Sequence, residues 1–136
     1  MPQSDTDCPA DDALPALGVT IVNYNTEALT LNCVASLLAQ HIARPQDICV
    51  VDNLSPDGSG ERLAQRLPEG VRLIQSGRNG GFGAGVNIGV AALDTPLVLV
   101  LNPDTYFQHN KADVIRALFA STPDLGVAGL KLVKPD

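Results

Sequence analysis

The residues of this sequence that could do chemistry include an acidic motif placed directly after a strongly apolar run. Residues 97–101 are five consecutive apolar residues, and Asn102-Pro103-Asp104 follows them without a gap. An unbroken apolar run is typical of a strand covered on both faces, and open α/β folds bind ligands at the carboxyl ends of such strands. The position of Asp104 therefore indicates a ligand site. The alternative is a solvated turn, which Asn, Pro and Asp commonly form.

Three other predicted strands also end on polar side chains. The groups are amides, a phenol, a carboxylate and a guanidinium, in the segments Asn23-Tyr24-Asn25, Asp52-Asn53 and Arg78-Asn79-Gly80-Gly81. Because the carboxyl ends of parallel strands meet along one edge of a sheet, these groups are expected to share a rim with Asp104. Pockets at this edge are the default for the architecture, so the rim is the predicted site, although loop edges also carry polar groups without a function.

Alternating strand and helix patterns are needed to bring these segments together. Strand-type runs cover residues 19–22, 48–51, 71–74, 97–101 and 127–132, and helical patterns lie between them at residues 29–38, 63–67, 81–93 and 112–120. Strands joined by helices pair in parallel through right-handed crossovers. The predicted fold class is α/β, a doubly wound and mostly parallel sheet of at least four strands in α/β/α layers.

Length and charge limit the classes of protein and partner. The chain has 136 residues, 45% of them hydrophobic, which suffices for one domain, predicted over residues 17–136 behind a flexible tail at residues 1–16. A net charge of −6 with only nine Lys and Arg residues argues against nucleic acid or an anionic membrane as the main partner. The sequence contains no apolar run of membrane-spanning length and no signal-type start, so a cytoplasmic protein is expected.

The cysteines indicate neither a disulfide framework nor a metal site. There are three of them, Cys8, Cys33 and Cys49, and they lack metal-ligand spacing. Cys33 and Cys49 are predicted to be small buried hydrophobes with reduced thiols.

A glycine-rich segment at residues 80–85 raises the question of a nucleotide-binding loop. The dinucleotide motif G-x-G-x-x-G needs a third glycine where Ile88 stands, and it follows the first strand, whereas this segment follows the third. No G-x-x-x-x-G-K-[ST] sequence occurs, which excludes a P-loop. Small residues here let either a ligand or the neighbouring strand approach the helix backbone, and Gly83, Gly85 and Gly89 fit both explanations.

Four blocks of the chain together resemble the family-2 glycosyltransferases of the GT-A fold, and in particular their rhamnosyltransferase-like bacterial branch. The blocks are VTIVNYN at 19–25, VVDNLSPDGS at 50–59, RNGGFGAGVNIG at 78–89 and LNPD at 101–104. Their order and spacing match the family, and the resemblance covers residues 17–136. Four blocks in register are far more specific than any one of them.

The resemblance implies a nucleotide-sugar site and names its residues. The base and ribose are expected at Val22, Asn23, Tyr24 and Asn25 with Asp52 and Asn53. The segment from Asn79 to Asn87, with Asn79, Gly81 and Asn87, is expected to line the pocket near the nucleotide and the donor sugar, and Asn102 is a further nucleotide-sugar-binding residue. Tyr24 could lie along the base. Asp104 would anchor Mg²⁺ or Mn²⁺, which prefer oxygen ligands and are often held by one or two carboxylates plus substrate phosphates. An acidic protein needs such a cation to bind a diphosphate.

The function implied is that of an inverting, metal-dependent glycosyltransferase of polysaccharide or cell-wall assembly. It would move a sugar from a UDP- or dTDP-sugar to a glycan or lipid-linked acceptor, and the full-length protein is expected in the cytoplasm or at the inner face of the membrane. This chain is expected to be the donor-binding half, and its truncated edge favours self-association.

Two departures from the family pattern limit what the resemblance implies. Asn102 replaces the first acidic residue of the usual Asp-x-Asp motif, which leaves Asp104 as the main metal anchor. The chain ends at Lys134-Pro135-Asp136, about where the acceptor half should begin, so the catalytic base is expected downstream and the isolated chain is expected to transfer nothing. Whether the chain is a fragment or a natural truncation stays open. The alternative function is a non-catalytic nucleotide-binding or interaction module derived from the same fold.

Overall fold

The structure is a computed structural model, and it describes residues 14–134. Its elements are β1 (Leu17–Asn23), α1 (Glu27–Ala39), β2 (Ile48–Asp52), α2 (Ser59–Arg66), β3 (Arg72–Gln75), α3 (Phe82–Ala92), β4 (Leu97–Leu101) and α4 (Ala112–Ser121), with one 3-10 turn at Pro45–Asp47. Most of the predicted tail lies outside the described residues. The longest helix has 13 residues, and within residues 14–134 no helix is long and apolar enough to cross a membrane.

The four strands form one parallel sheet with the order β3-β2-β1-β4. β1 is central and pairs with β2 and β4, so that Asn23 lies beside Asp52, and Ile21 beside Leu101. The chain adds β2 and β3 on one side of β1 and then places β4 on the other side. This reversal leaves a crevice at the carboxyl ends of β1 and β4, which is where open α/β sheets bind ligands. The predicted fold class is confirmed.

Helices cover both faces of the sheet. Residues of α1 and α2 such as Val34, Leu37 and Leu63 pack with Val19 and Ile21 in the larger apolar cluster. The smaller cluster lies on the opposite face. Its buried members are Cys49 and Val51 of β2 with Leu93 after α3, and its partly buried members are Ile74, Ile88, Ala92 and Val98. Because successive strand residues alternate between faces, one strand can supply both clusters.

Glycines in α3 allow this helix to approach the sheet closely. A Cβ at Gly89 would lie 1.8 Å from Thr20 Oγ1, and one at Gly85 would lie 2.9 Å from Val22 Cγ1. Packing against the sheet therefore explains Gly85 and Gly89. It does not explain Gly83, where an added Cβ would meet no described atom within 4 Å.

The predicted fifth strand at residues 127–132 is wrong. The segment has no regular secondary structure, and Val127 and Leu132 are 88% and 79% exposed. A strand needs a neighbour that accepts and donates its backbone hydrogen bonds, and local sequence does not reveal whether a neighbour is present. Within the described residues, the outer edge of β4 carries no strand.

Candidate functional site

The last residues of β1 and β2 carry buried side chains that contact each other. Asn23 is fully buried and Asp52 is 2% exposed. Nδ2 of Asn23 lies 2.9 Å from Asp52 Oδ1, and within 3.2 Å of the Ser55 and Ser59 hydroxyls. The Ser55 hydroxyl also donates a hydrogen bond of 2.6 Å to Asp52 Oδ1. These contacts fix the loop after β2 against the end of β1.

Asn23 also fixes the loop that follows its own strand. Its Oδ1 accepts hydrogen bonds of 2.9 Å from the Thr26 and Thr30 hydroxyls at the start of α1. Asn25 has a positive φ of 57°, and its backbone N–H donates to the Ser55 hydroxyl at 3.0 Å. The polar atoms of Asn23 and Asp52 are thus engaged inside the protein, where they hold the two loops around the crevice.

A cleft of about 250 Å³ opens at the carboxyl ends of the strands. It is lined by Val22, Tyr24, Thr26, Asn53, Asn79, Phe82 and Pro103. Four of these are predicted site residues, and Pro103 belongs to the motif that contains Asp104. The structure therefore brings the loops after β1, β2, β3 and β4 to one cleft, as the strand ends predicted.

A second cleft of about 230 Å³ shares Asn53 with the first. It is lined by Asn53, Ser76, Arg78, Gly80, Ala84, Asn87 and Ile88. Asn87, another predicted residue, belongs to this second cleft. Of the remaining predicted residues, Asn23, Asn25, Asp52, Gly81, Asn102 and Asp104 line neither cleft in the described part of the chain.

Asn53 has an acceptor that the fold leaves unused. Its Nδ2 donates to the Gly81 carbonyl at 2.9 Å, which also fixes which end of the amide is the oxygen. The residue is only 2% exposed, yet its Oδ1 has no hydrogen-bond partner among the described residues. A buried acceptor without a partner costs about 1–3 kcal/mol. Asn53 lines both clefts, so a ligand donor that reaches its Oδ1 from either one would remove that cost.

The start of α3 is shaped by Asn79 and Gly81. The Gly81 N–H donates to Asn79 Oδ1 at 3.0 Å, and Gly81 has a φ of +93°, which glycine adopts without strain. The turn places Asn79 and Phe82 at the first cleft. Gly81 thus shapes the cleft through its backbone N–H and carbonyl groups, which bond Asn79 and Asn53.

Asp104 lies on an exposed loop that is attached to α1. The Thr105 hydroxyl donates to the Asn102 carbonyl at 2.7 Å, and the Phe107 N–H donates to the Ser36 hydroxyl at 3.0 Å. Burial raises the pKa of the Cys33 thiol to about 11, while a hydrogen bond with Thr105 lowers it and the charge of Asp104 raises it. The hydrogen bond to Ser36 holds the loop that carries Asp104 against α1.

The donor set fits a cation that is shared with a phosphate ligand. Within residues 14–134 there is no cluster of three or more His, Cys, Asp or Glu side chains. Asp104 alone offers an exposed carboxylate beside Pro103, which lines the first cleft. Mg²⁺ is usually bound in this way, through one or two carboxylates with substrate phosphates and water.

The sequence of the chain matches a known protein family over the elements and loops described above. The model of the family described as "Glycosyl transferase family 2" matches residues 19–133. The chain belongs to glycosyl transferase family 2. The resemblance seen in the four sequence blocks is confirmed.

Curated relatives are similar to this family 2 chain over nearly its whole length. The N-acetylglucosaminyl-diphospho-decaprenol L-rhamnosyltransferase of Mycobacterium tuberculosis is 30% identical, over 92% of this chain and 43% of that protein. Succinoglycan biosynthesis protein ExoO of Rhizobium meliloti is 31% identical, over 94% of this chain and 37% of that protein. The chain spans less than half the length of these relatives.

Solved structures of S. aureus TarS share the fold of this family 2 chain. One has a TM-score of 0.62 at 22% identity and covers 78% of this chain and 20% of TarS. The structure of TarS 1-349 has a TM-score of 0.63 at 22% identity and covers 88% of this chain and 38% of that one. At this identity the similarity supports the fold alone.

Three residues that line the first cleft were not named among the predicted site residues. They are Thr26, Phe82 and Pro103, of which Phe82 lies within the segment 79–87 that was expected to line the pocket. Phe82 had a detectable signal, since a large aromatic residue stands alone among glycines. The contribution of Thr26 depends on the course of the loop after β1, for which local sequence gives no signal.

Proposed function

We propose that this chain forms the donor-binding part of an inverting, metal-dependent glycosyltransferase, and that the donor is a UDP- or dTDP-sugar. The observation that carries the proposal is the unpartnered Oδ1 of Asn53, a buried acceptor at two clefts beside the crevice between β1 and β4. Family 2 membership supplies the reaction class.

The acceptor on Asn53 favours a base that presents an N–H group. Uracil and thymine carry an imide N–H between two carbonyl groups, so this edge can donate to Asn53 Oδ1. Cytosine has an unprotonated ring nitrogen at the equivalent position and carries its donor on the neighbouring exocyclic amino group, so in the same pose it would leave the acceptor unsatisfied and would have to shift to satisfy it, which costs binding free energy. Tyr24, which is 43% exposed in the same cleft, offers a ring face along the base.

Asp104 is proposed to hold Mg²⁺ or Mn²⁺, with the Asn102 amide as a weaker oxygen donor nearby. A bound cation would neutralise negative charge on the diphosphate leaving group. The protein supplies the carboxylate and keeps its loop in place through Ser36 and Thr105. A net charge of −6 makes this help necessary, because the chain has few cations of its own.

The acceptor is proposed to be a glycan or a lipid-linked sugar, in polysaccharide or cell-wall assembly. The names of the M. tuberculosis and R. meliloti relatives support this class. The acceptor hydroxyl would attack the anomeric carbon with inversion and lose its proton to a carboxylate base. We propose that this base lies in a part of the protein outside the chain, so that the isolated chain binds the donor without transferring the sugar.

Calorimetric titration of the chain with UDP and dTDP, with and without MnCl₂, tests the proposal. Binding should need the metal and should be lost in Asp104→Ala, while Asp124→Ala, an exposed carboxylate in a turn, should bind normally. Asn53→Ala should weaken the binding of UDP more than the binding of CDP. Asn32→Ala, at an exposed position, serves as its control. Nucleotide binding that ignores both the metal and Asp104→Ala would instead support a non-catalytic nucleotide-binding module.

A further inference from the structure

Two half-exposed aromatic rings from different elements border the first cleft. Tyr24 follows β1 and is 43% exposed, and Phe82 begins α3 and is 50% exposed. Tyrosine has a hydroxyl group that suits a wet surface, whereas the phenylalanine ring is entirely apolar. Exposed apolar surface at a concave site marks a ligand or partner contact when it is not explained by packing.

The glycines on either side of Phe82 leave its ring uncovered. A Cβ added at Gly81 or at Gly83 would meet nothing within 4 Å among the described residues. Gly81 is required by its positive φ of 93°, but Gly83 lies inside α3 and is explained neither by φ nor by packing. A glycine there lowers helix propensity. It also keeps the approach to the Phe82 ring free of side chains.

The same cleft contains the buried acceptor of Asn53, which is polar and unpartnered among the residues described. A ligand that suits both features has a flat face for aromatic rings and an N–H group on its edge. A nucleobase has this combination, whereas a diphosphate lacks the flat face and a sugar without an amide or amine group lacks the N–H. We propose that Phe82 is a base-binding residue that acts with Tyr24, so that two aromatic rings contact the nucleobase while Asn53 reads its edge. This inference rests on the proposed nucleotide-sugar function.

The proposal separates affinity from base selection. Stacking tolerates any base because every base has a π face, so Phe82 should strengthen the binding of all nucleotides alike. The Asn53 acceptor should discriminate between bases. Phe82 variants are therefore expected to weaken the binding of UDP and of CDP by the same factor. A variant that disturbed Asn53 would instead weaken the two nucleotides by different factors.

The test compares Phe82→Ala, Phe82→Tyr and Phe82→Leu with Val90→Ala, a variant at an exposed position on the same helix. Calorimetry with UDP in MgCl₂ should show binding about 5- to 150-fold weaker in Phe82→Ala and near-normal binding in Phe82→Tyr and Val90→Ala. The UDP affinity of Phe82→Leu should be close to that of Phe82→Ala. Leucine restores most of the apolar volume but has no aromatic ring, so it cannot stack on the base. Circular dichroism should show unchanged folding, since the ring is half exposed.

A spectroscopic measurement reports stacking directly. The chain has no Trp and only two Tyr residues, so the protein adds a weak background to the absorbance of the uracil band. Binding should reduce the absorbance of the uracil band, and Phe82→Ala at saturating UDP should show a smaller reduction.

An unchanged UDP affinity in Phe82→Ala would overturn the proposal, as would a Phe82→Leu variant that binds as well as the unaltered chain. If those results accompany metal-dependent UDP binding that Asp104→Ala abolishes, the proposed function stands and this inference alone fails. If the unaltered chain binds no nucleotide, both fail.

Discussion

The Asn23 side chain donates to the Asp52 side chain at 2.9 Å, and the two residues are register partners at the ends of adjacent strands. Neighbouring residues of parallel strands point to the same face, so this contact closes the gap between two strand ends. Both side chains are almost completely buried. The loops that form the clefts leave the sheet directly after them, and the shape of the site therefore depends on this pair.

Asn23→Ala should lower the free energy of unfolding by about 3 kcal/mol, because it removes several buried hydrogen bonds and leaves Asp52 without its amide donor. Urea denaturation followed by circular dichroism measures the change. The control is Asn32→Ala on the exposed side of α1, which should change stability by less than about 0.5 kcal/mol. Similar values for the two variants would show that the buried network adds little.

Two glycines in one helix should respond in opposite directions to alanine. Gly83→Ala should raise the free energy of unfolding by about 0.5–1 kcal/mol, because alanine favours helix and the added Cβ meets no described atom within 4 Å. Gly89→Ala should lower it by about 1–3 kcal/mol, since its Cβ would lie 1.8 Å from Thr20 Oγ1. Thermal melts of both variants test this, and equal shifts would contradict the close packing at Gly89.

Local pattern was enough to predict the elements that have strong local signals. β4 has the bounds predicted from its apolar run, and α3 is one residue shorter at each end than predicted. Residues 127–132 are also mostly apolar, although they include Gly129 and Lys131, and they form no strand. The difference is pairing, because β4 lies beside β1 while no strand of the described chain lies beside residues 127–132.

The position of the clefts could be predicted from the strand ends, but the contacts of each side chain could not. Asp52 and Asn53 are consecutive, so alternation turns their side chains to different faces of the sheet. The hydrogen bonds from Asn23 and Ser55 show that the Asp52 carboxylate is used inside the protein. The unpartnered Oδ1 shows that Asn53 has a free hydrogen-bond acceptor among the described residues. Both facts depend on the three-dimensional course of the loop after β2.

Glu27 should make stability depend on acid pH. Its carboxylate bonds Arg62 and Arg66, and the hydrogen bond from Arg62 is the largest cause that lowers the pKa of Glu27 from 4.5. A lowered folded-state pKa stabilises the protein above the unfolded-state pKa, and this stabilisation disappears as the pH falls through the folded-state value. The stability difference between the unaltered chain and Glu27→Gln should therefore shrink as the pH falls below 4.5. Urea melts across that range measure it, and the exposed Glu69→Gln should show no such trend.

The described cysteines should resist thiol reagents until the protein unfolds. Burial raises the pKa of Cys33 to about 11 and also raises that of Cys49, so little thiolate exists at mildly alkaline pH. In a Cys8→Ser variant, which removes the thiol outside the described residues, a chromogenic disulfide reagent should detect no fast thiol in buffer and two in urea. Fast reaction of one thiol in buffer would contradict the burial of α1 and β2.

The outer edge of β4 should drive association between copies of the chain. β4 pairs with β1 on one side, and no strand of the described residues pairs with its other side, where Val100 is 43% exposed. An unpaired edge with apolar side chains is a template for strand pairing, and a lysine at the edge opposes it. Sedimentation velocity should show a concentration-dependent dimer or larger species that Val100→Lys shifts to monomer. Val114→Lys adds the same charge on α4, where Val114 is 65% exposed, and should leave the association unchanged. A monomer at every concentration would refute edge pairing. If both lysine variants reduced the association equally, the association would depend on charge-sensitive contacts other than the β4 edge.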